Sequence, residues 1–338
     1  MKTLPWKSLL LGAALLLPLG CQINEVECDE DCESSWMDGS RVNDSSADSL
    51  DKYHYYLVSK RKDSLPKAVR DTFPVIIAAH GFSASTFEWL ELRQYARDII
   101  PWPDSLANTP KPKALISLVL LGGHGRDVSI FKGSTWQQWA APILEEYDSL
   151  VAQGYKNISL AGSSTGCPLI LQLMHGGHFN KQPPNQILFI DPIVSPSAKI
   201  LSLIRIFGPI LGNNPSNQEG NEKKHWYTNR PAETLDELYT VINRAKNQLE
   251  DGMTLPRGTK AKVWKATDDG QADPVSALML YKGLRTASGG RIEVKMVPSS
   301  KHVFTRLSLR GGTHEDTTRR DEAFKEMIDR ATAWPGKR

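Results

Sequence analysis

One stretch limits what this chain can fold into more than any other: Ile158-Ser159-Leu160-Ala161-Gly162-Ser163-Ser164-Thr165-Gly166-Cys167. It begins as an apolar run and ends in Gly-x-Ser-x-Gly. A helix-compatible segment, 168–174, follows at once. A strand that turns sharply into a helix needs small residues two before and two after the apex, and Gly162 and Gly166 supply them. Ser164 then stands at the apex, against the free N–H groups and positive end of a helix N-terminus. This is the setting of a nucleophilic serine. Cys167 lies off the apex and reads as packing.

The rest of the chain supplies a rhythm of strands and helices around that turn. Residues 53–58 alternate and are rich in aromatics, as a first strand would be. Residues 74–79, 115–121, 186–191, 262–267 and 292–297 read as further strands, the first of them a fully apolar run suited to a buried sheet centre. Helices are expected over 86–99, from Thr135 through Val151, over 232–249 and over 316–334. The second of these opens on Thr135-Trp136-Gln137-Gln138, a capping box. Strand, helix and strand in succession predict a parallel sheet. The 338 residues, 40% hydrophobic and 23% charged, allow one large α/β domain or two small ones. A net charge of +3 is too small to suggest a nucleic-acid partner.

The N-terminus reads as a leader. Lys2 and Lys7 precede an apolar run, 9–19, too short to span a membrane. It ends in Leu17-Pro18-Leu19-Gly20-Cys21, which resembles a bacterial lipoprotein signal. That resemblance implies a signal peptide over 1–20 and a lipidated Cys21. Pro18 and Leu19 depart from the usual pattern; simple secretion and a retained, uncleaved anchor are the alternatives. Gln22, by the same analogy, favours the outer membrane of a bacterial envelope. The acidic, Ser-rich segment 21–51 reads as a solvated tether. Outside the cytoplasm, Cys28 and Cys32 are expected to form a small disulfide. No metal is expected there, since no His or second Cys pair lies close. His175 and His178 also lack a third ligand.

Several strand ends carry chemistry-bearing loops. Strand 74–79 runs into His80-Gly81-Phe82-Ser83. Strand 115–121 opens into Gly122-Gly123-His124-Gly125. Strand 262–267 leads to Gly270-Gln271-Ala272-Asp273-Pro274-Val275, and the last strand to Ser299-Ser300-Lys301-His302-Val303. With the Ser164 turn, these loops resemble the α/β-hydrolase superfamily, in its esterase, monoacylglycerol lipase and serine aminopeptidase branch. The resemblance covers roughly 53–334. It implies a mostly parallel sheet with helices on both faces, formed by 52–194 and 258–338, and a helical cap inserted over 195–257. The sequence leaves open whether the cap's apolar residues, such as Leu201 to Leu211, pack on the core or face a substrate.

The resemblance also implies site roles. Ser164, Asp273 and His302, in the superfamily's order, would be nucleophile, acid and base, and the N–H groups of Phe82 and Thr165 would form the oxyanion hole. His124 would lie near the site without doing chemistry. Four carboxylates compete for the acid: Asp273 fits the family's loop, Asp268 and Asp269 lie closer to the strand end, and Asp191 ends an earlier strand where some lipases keep theirs. The implied activity is hydrolysis of short to medium acyl esters, on a small-molecule substrate, by a monomer held to the membrane through its lipid, with no cofactor. A serine nucleophile argues against the dehalogenase and epoxide hydrolase branches. A serine aminopeptidase or thioesterase, or a non-catalytic lipoprotein with a hydrolase-like cleft, are the other readings.

Overall fold

In a computed structural model of the chain, residues 70–96, 112–125, 128–197, 213–215, 225–227 and 229–333 are described. The leader, Cys21, the tether with Cys28 and Cys32, the expected strand at 53–58 and the apolar part of the cap, 201–211, lie outside the described residues.

Six strands form one parallel sheet: β1 (Val75–Ala79), β2 (Leu115–Val119), β3 (Ile158–Ser163), β4 (Gln186–Ile190), β5 (Lys260–Ala266) and β6 (Glu293–Val297), in the order β6-β5-β4-β3-β1-β2. Val75 is in register with Leu115 on one side and with Ile158 on the other. Both faces of the sheet are covered, which is why the central strand β1 is apolar throughout rather than alternating. Val75, Ile77 and Ala79 of β1 enter one core with Trp139, Ile143 and Leu169, while Ile76 and Ala78 enter the other with Leu92, Phe324 and Met327.

The first face carries α3 (Trp136–Ala152), α4 (Gly166–His175), α5 (Ala232–Asp251) and α6 (Val275–Gly283); the second carries the short α1 (Leu90–Tyr95) and α7 (His314–Thr332), and α2 (Val128–Lys132) precedes α3. The expected capping box is present. Thr135 Oγ1 accepts from Gln138 N, and Gln138 Oε1 accepts from Thr135 N. The helix expected over 86–99 differs: its first turn, Thr86–Trp89, is a 3-10 helix capped by Ser85, and α1 follows only to Tyr95. β6 is a sheet edge with Glu293, Lys295 and Met296 exposed; Glu293 pairs with Arg330 and Lys295 with Glu322 of α7, which blunts it.

Within 195–257, the span expected as a cap, Asn213–Pro215 pairs antiparallel with Asn229–Pro231. α5 follows, amphipathic as expected. Its Leu235, Leu238, Val241, Ile242, Ala245 and Leu249 join the first core, so this helix packs on α4 and α6 and does not stand apart from them.

Candidate active site

The elbow forms because its glycines leave no room for anything larger. A Cβ on Gly166 would lie 2.4 Å from the carbonyl oxygen of Ala79, and one on Gly162 would lie 2.8 Å from the carbonyl carbon of Gly166. Between them Ser164 takes φ +47, a left-handed conformation that costs a non-glycine residue energy. Its N–H is held by the Ile190 carbonyl at 3.0 Å, and its carbonyl accepts from Cys167 N at 3.2 Å. All five non-glycine residues with positive φ among the described residues, Ser83, Ser164, Asp191, Val303 and Leu309, lie in loops that follow strands β1, β3, β4 and β6. The backbone strain of the described residues is concentrated there.

Those loops bring a hydroxyl, an imidazole and a carboxylate into line. Ser164 Oγ donates to His302 Nε2 at 2.8 Å, and His302 Nδ1 donates to Asp269 Oδ2 at 2.8 Å. With a carboxylate on Nδ1, the neutral imidazole carries its proton there and leaves Nε2 as acceptor for the hydroxyl. The Asp269 side chain is fully buried. Its other oxygen accepts from Gln271 N at 2.8 Å and Ala272 N at 3.1 Å. Burial alone would raise its pKa, but the facing His302, by charge and hydrogen bond, and Lys265 outweigh it and hold the carboxyl well below the usual range.

The carboxylate on His302 is therefore Asp269 and not Asp273. Asp273 is half-buried, and its Oδ1 accepts from Val275 N at 2.8 Å, capping the start of α6. Asp268 is exposed and takes the Thr267 hydroxyl. Asp191, fully buried at the end of β4, accepts from the backbone of Ala266 and Phe304. The physical reason lies in how the two loops meet: the turn after β5 places Asp269 against His302 from the loop after β6, whereas the chain at Asp273 has already turned into a helix start.

On the other side of Ser164 lies the 81–83 loop. A Cβ on Gly81 would lie 3.0 Å from Ser164 Cβ and 3.5 Å from Ser164 Oγ, so the loop passes directly against the hydroxyl. Its polar groups are held one by one. Gly81 N donates to Glu88 Oε1 at 2.8 Å, and the Ser163 hydroxyl donates to the same oxygen. His80 Nδ1 donates to Gly81 O at 2.8 Å, while its Nε2 accepts from Leu121 N at 3.1 Å. Ser83 N donates to His124 Nε2 at 3.2 Å, and Ser83 O accepts from Tyr227 N at 3.0 Å. Gly81 C=O and Phe82 N–H belong to one peptide plane and point opposite ways. Fixing the carbonyl with His80 therefore fixes the N–H of Phe82. That N–H, like the N–H of Thr165 at the start of α4, has no acceptor among the described residues.

Both histidines are neutral. Burial lowers the His80 pKa to about 4, against the smaller opposing effects of Glu88 and the Gly81 hydrogen bond. Burial, with His80 beside it, pushes His124 well below the ordinary value. Each is thus free to accept a backbone N–H. Burial raises the Cys167 thiol well above its usual range, as suits a packing residue.

Aromatic rings pack behind the 81–83 loop. Phe82 packs against Phe131 and Trp139, with centroids 5.5 and 5.7 Å apart, and Tyr227 stacks on Phe131 at 4.3 Å. His225 stacks on Phe87 at 3.7 Å, and the Arg306 guanidinium lies 4.0 Å over Trp226. Residues 226 and 227 thereby touch both the 81–83 loop and the loop that carries His302. Among the described residues no group of three or more His, Cys, Asp or Glu is placed to hold a metal ion, and His175 and His178 are exposed. No described helix is long and apolar enough to cross a membrane.

Sequence reasoning missed Glu88, which sits in what reads as a plain amphipathic helix, and it gave Asp191 no holding role. It also missed Lys265, although a lysine inside the apolar strand Lys262-Val-Trp-Lys-Ala266 was a signal that could have been used.

No family model matches the sequence, and neither does any curated protein. Solved structures do. One is from work on two metagenome-derived lipolytic enzymes, LipS and LipT: 17% identical, covering 77% of this chain and 98% of that one, TM-score 0.56. A soluble variant of monoglyceride lipase from Saccharomyces cerevisiae, in complex with a substrate analog, is 9% identical over 80% of this chain and 90% of its own, TM-score 0.56. The monoacylglycerol lipase of Paleococcus ferrophilus is 10% identical over 77% and 96%, TM-score 0.51. At such identities the likeness carries the fold and not the substrate. The strand order, the strained turn at Ser164 and these neighbours lead to one statement: the chain has the α/β-hydrolase fold.

Proposed function

We propose that this protein is a serine hydrolase that cleaves carboxylic esters of short to medium acyl chains through an acyl-enzyme intermediate. The observation that carries the reading is the Ser164–His302–Asp269 line, 2.8 Å at each step, beside two backbone N–H groups that have no acceptor among the described residues. In this mechanism His302 Nε2 takes the Ser164 proton as Oγ attacks the ester carbonyl. The N–H groups of Phe82 and Thr165 hold the oxyanion, and Asp269 stabilises the imidazolium. His302 then protonates the leaving alcohol. A water, deprotonated by the same nitrogen, releases the acid and restores Ser164.

The apolar residues Leu201 to Leu211 of the expected cap support an apolar substrate part, since each methylene buried against such residues adds about 0.8 kcal/mol until the space is filled. The test is a panel of chromogenic esters of graded chain length, with aminoacyl amides and thioesters beside them, on wild type and Ser164→Ala. Ester turnover that peaks at short to medium chains and falls at least ten-thousandfold in Ser164→Ala is expected. Equal turnover in both proteins, or a preference for amides or thioesters, would overturn the reading. The leader motif supports a further proposal, attachment to a bacterial envelope through lipid on Cys21. Cys21→Ala should release the protein from membranes, and unchanged fractionation would refute it.

A further inference from the structure

A buried lysine stands in the acid half of the site, and no step above uses it. The Lys265 side chain, on β5, is fully buried. Its Nζ contacts Asp269 Oδ2, the same oxygen that receives the His302 proton, and lies 3.3 Å from Asp191 Oδ1. Asp191 is fully buried too, and its carboxylate does more than face the lysine. Oδ1 accepts from Ala266 N at 2.7 Å, and Oδ2 accepts from Phe304 N at 2.9 Å. One side chain thus ties the end of β5, which leads to Asp269, to the loop that carries His302. Asp191 at φ +45 and the β-branched Val303 at φ +53 are held in strained conformations beside those bonds.

Stability alone does not call for this arrangement, because apolar residues of similar volume commonly serve as well as a buried ion pair or better. Charge gives it a purpose. His302 faces Asp269 from the loop after β5, Lys265 from β5 and Asp191 from the end of β4. The Ser164 hydroxyl faces it from the elbow, and Arg310 of its own loop donates to the His302 carbonyl. Glu88 is turned to Gly81 and Ser163, and the Cys167 thiol, on α4, is protonated. Without the lysine, an imidazolium at 302 would stand against two buried carboxylates. With it, the same imidazolium stands against a net single negative charge.

We propose that Lys265 is a positioning residue for the proposed hydrolysis: shared between Asp191 and Asp269, its ammonium fixes the acid loop and sets the charge that the His302 imidazole faces. The place in catalysis rests on the serine-hydrolase reading; the charge relation does not. The test compares Asp191→Asn with Asp191→Asn/Lys265→Met in the full chain. Both lack the Asp191 charge, so the second change removes only the cation. The readout is the His302 titration midpoint by imidazole NMR, assigned with His302→Asn, together with the acid limb of kcat/KM on a simple ester. In Asp191→Asn, Lys265 and Asp269 cancel; in the double variant Asp269 acts alone and favours the imidazolium. The midpoint is therefore expected to rise by about one pH unit or more on loss of the lysine. Coincident midpoints would overturn the proposal.

Where neither variant keeps a native near-UV circular dichroism spectrum, Lys265→Met against Lys265→Arg in the native background makes the same comparison. A higher midpoint with Met supports the proposal, and equal midpoints overturn it. Absence of Ser164-dependent turnover would sink the hydrolase reading, while the NMR midpoint still decides the role of the lysine.

Discussion

The loops on the two sides of Ser164 are held by different chemistry. On the Phe82 side, the 81–83 loop hangs from two neutral imidazoles, His80 and His124, and from one carboxylate, Glu88, that accepts from uncharged donors. On the His302 side, the loops hang from Asp191, Lys265 and Asp269, a buried cluster of full charges. The difference follows from what each side has to do in the proposed reaction. The Phe82 side must aim an N–H at a transient negative charge, and a fixed peptide plane does this best when nothing charged competes for it. The His302 side must stabilise a transient cation, and only a carboxylate held in place does that. The first side should therefore depend on hydrogen-bond geometry and on histidines staying unprotonated, the second on charge balance.

Breaking the charged side should have the largest effect. Asp269→Asn keeps the shape of the side chain but removes the charge and allows the wrong imidazole tautomer, so kcat on a simple ester should fall by about a thousandfold to ten-thousandfold. A loss under tenfold would show that the two sides are not divided as described.

Breaking the uncharged side should cost less in rate and more in stability relative to it. Glu88→Ala leaves Gly81 N–H and the Ser163 hydroxyl without their acceptor, at about 1–3 kcal/mol each. The melting temperature should fall by several degrees and kcat by about ten- to a hundredfold, as the Phe82 N–H loses its aim. Glu88→Gln retains an acceptor oxygen and should recover most of the rate. A lower melting temperature with kcat unchanged would make Glu88 a packing residue only.

Acid should separate the two sides without any mutation. The folded His80 pKa, about 4, lies below its ordinary value of 6.5. The unfolded chain binds that proton first, so the contribution of His80 is complete above pH 6.5 and is lost as pH falls toward 4. At full extent the loss is about 3 kcal/mol, and His124 acts in the same direction. The Asp269 carboxyl is shifted the same way, but its window opens only below the ordinary carboxylate value of about 4. The uncharged side should thus weaken first. Urea midpoints should drop between pH 7 and pH 4.5 in wild type and drop less in His80→Asn, which keeps a donor near Gly81 O and does not titrate. A flat wild-type profile over that range would contradict the assignment of neutral, buried imidazoles.

The smallest effect belongs to the carboxylate outside the line. Asp273→Ala removes the acceptor for Val275 N at the start of α6, worth about 1 kcal/mol, and should leave kcat within tenfold of wild type. A thousandfold loss would return the acid to position 273.

Local rules made much of this protein legible from its residues. Gly162 and Gly166 around Ser164 dictate a tight strand–helix turn because each packs where a Cβ would meet backbone. The unbroken apolar run of β1 dictates a strand covered on both faces, and Thr135 with Gln138 dictates the start of α3. Each follows from sterics, hydrogen bonding or burial acting on residue types that the stretch itself displays, although the backbone a Cβ on Gly166 would meet is that of Ala79, on β1. Which carboxylate meets His302 is a different kind of question. Asp268, Asp269 and Asp273 lie within six positions on one loop, and each can cap a turn or a helix; motif spacing favoured Asp273. The choice fell to Asp269 because His302, from the loop after β6, meets it in space, while Lys265 just before it on β5 is itself held by Asp191 at the end of β4. Likewise Glu88 is a surface helix residue by pattern, and only the approach of Gly81 and Ser163 buries it as their acceptor. A side chain whose partners lie tens or hundreds of residues away has its environment, and so its charge and its role, decided by packing that no local stretch of sequence records.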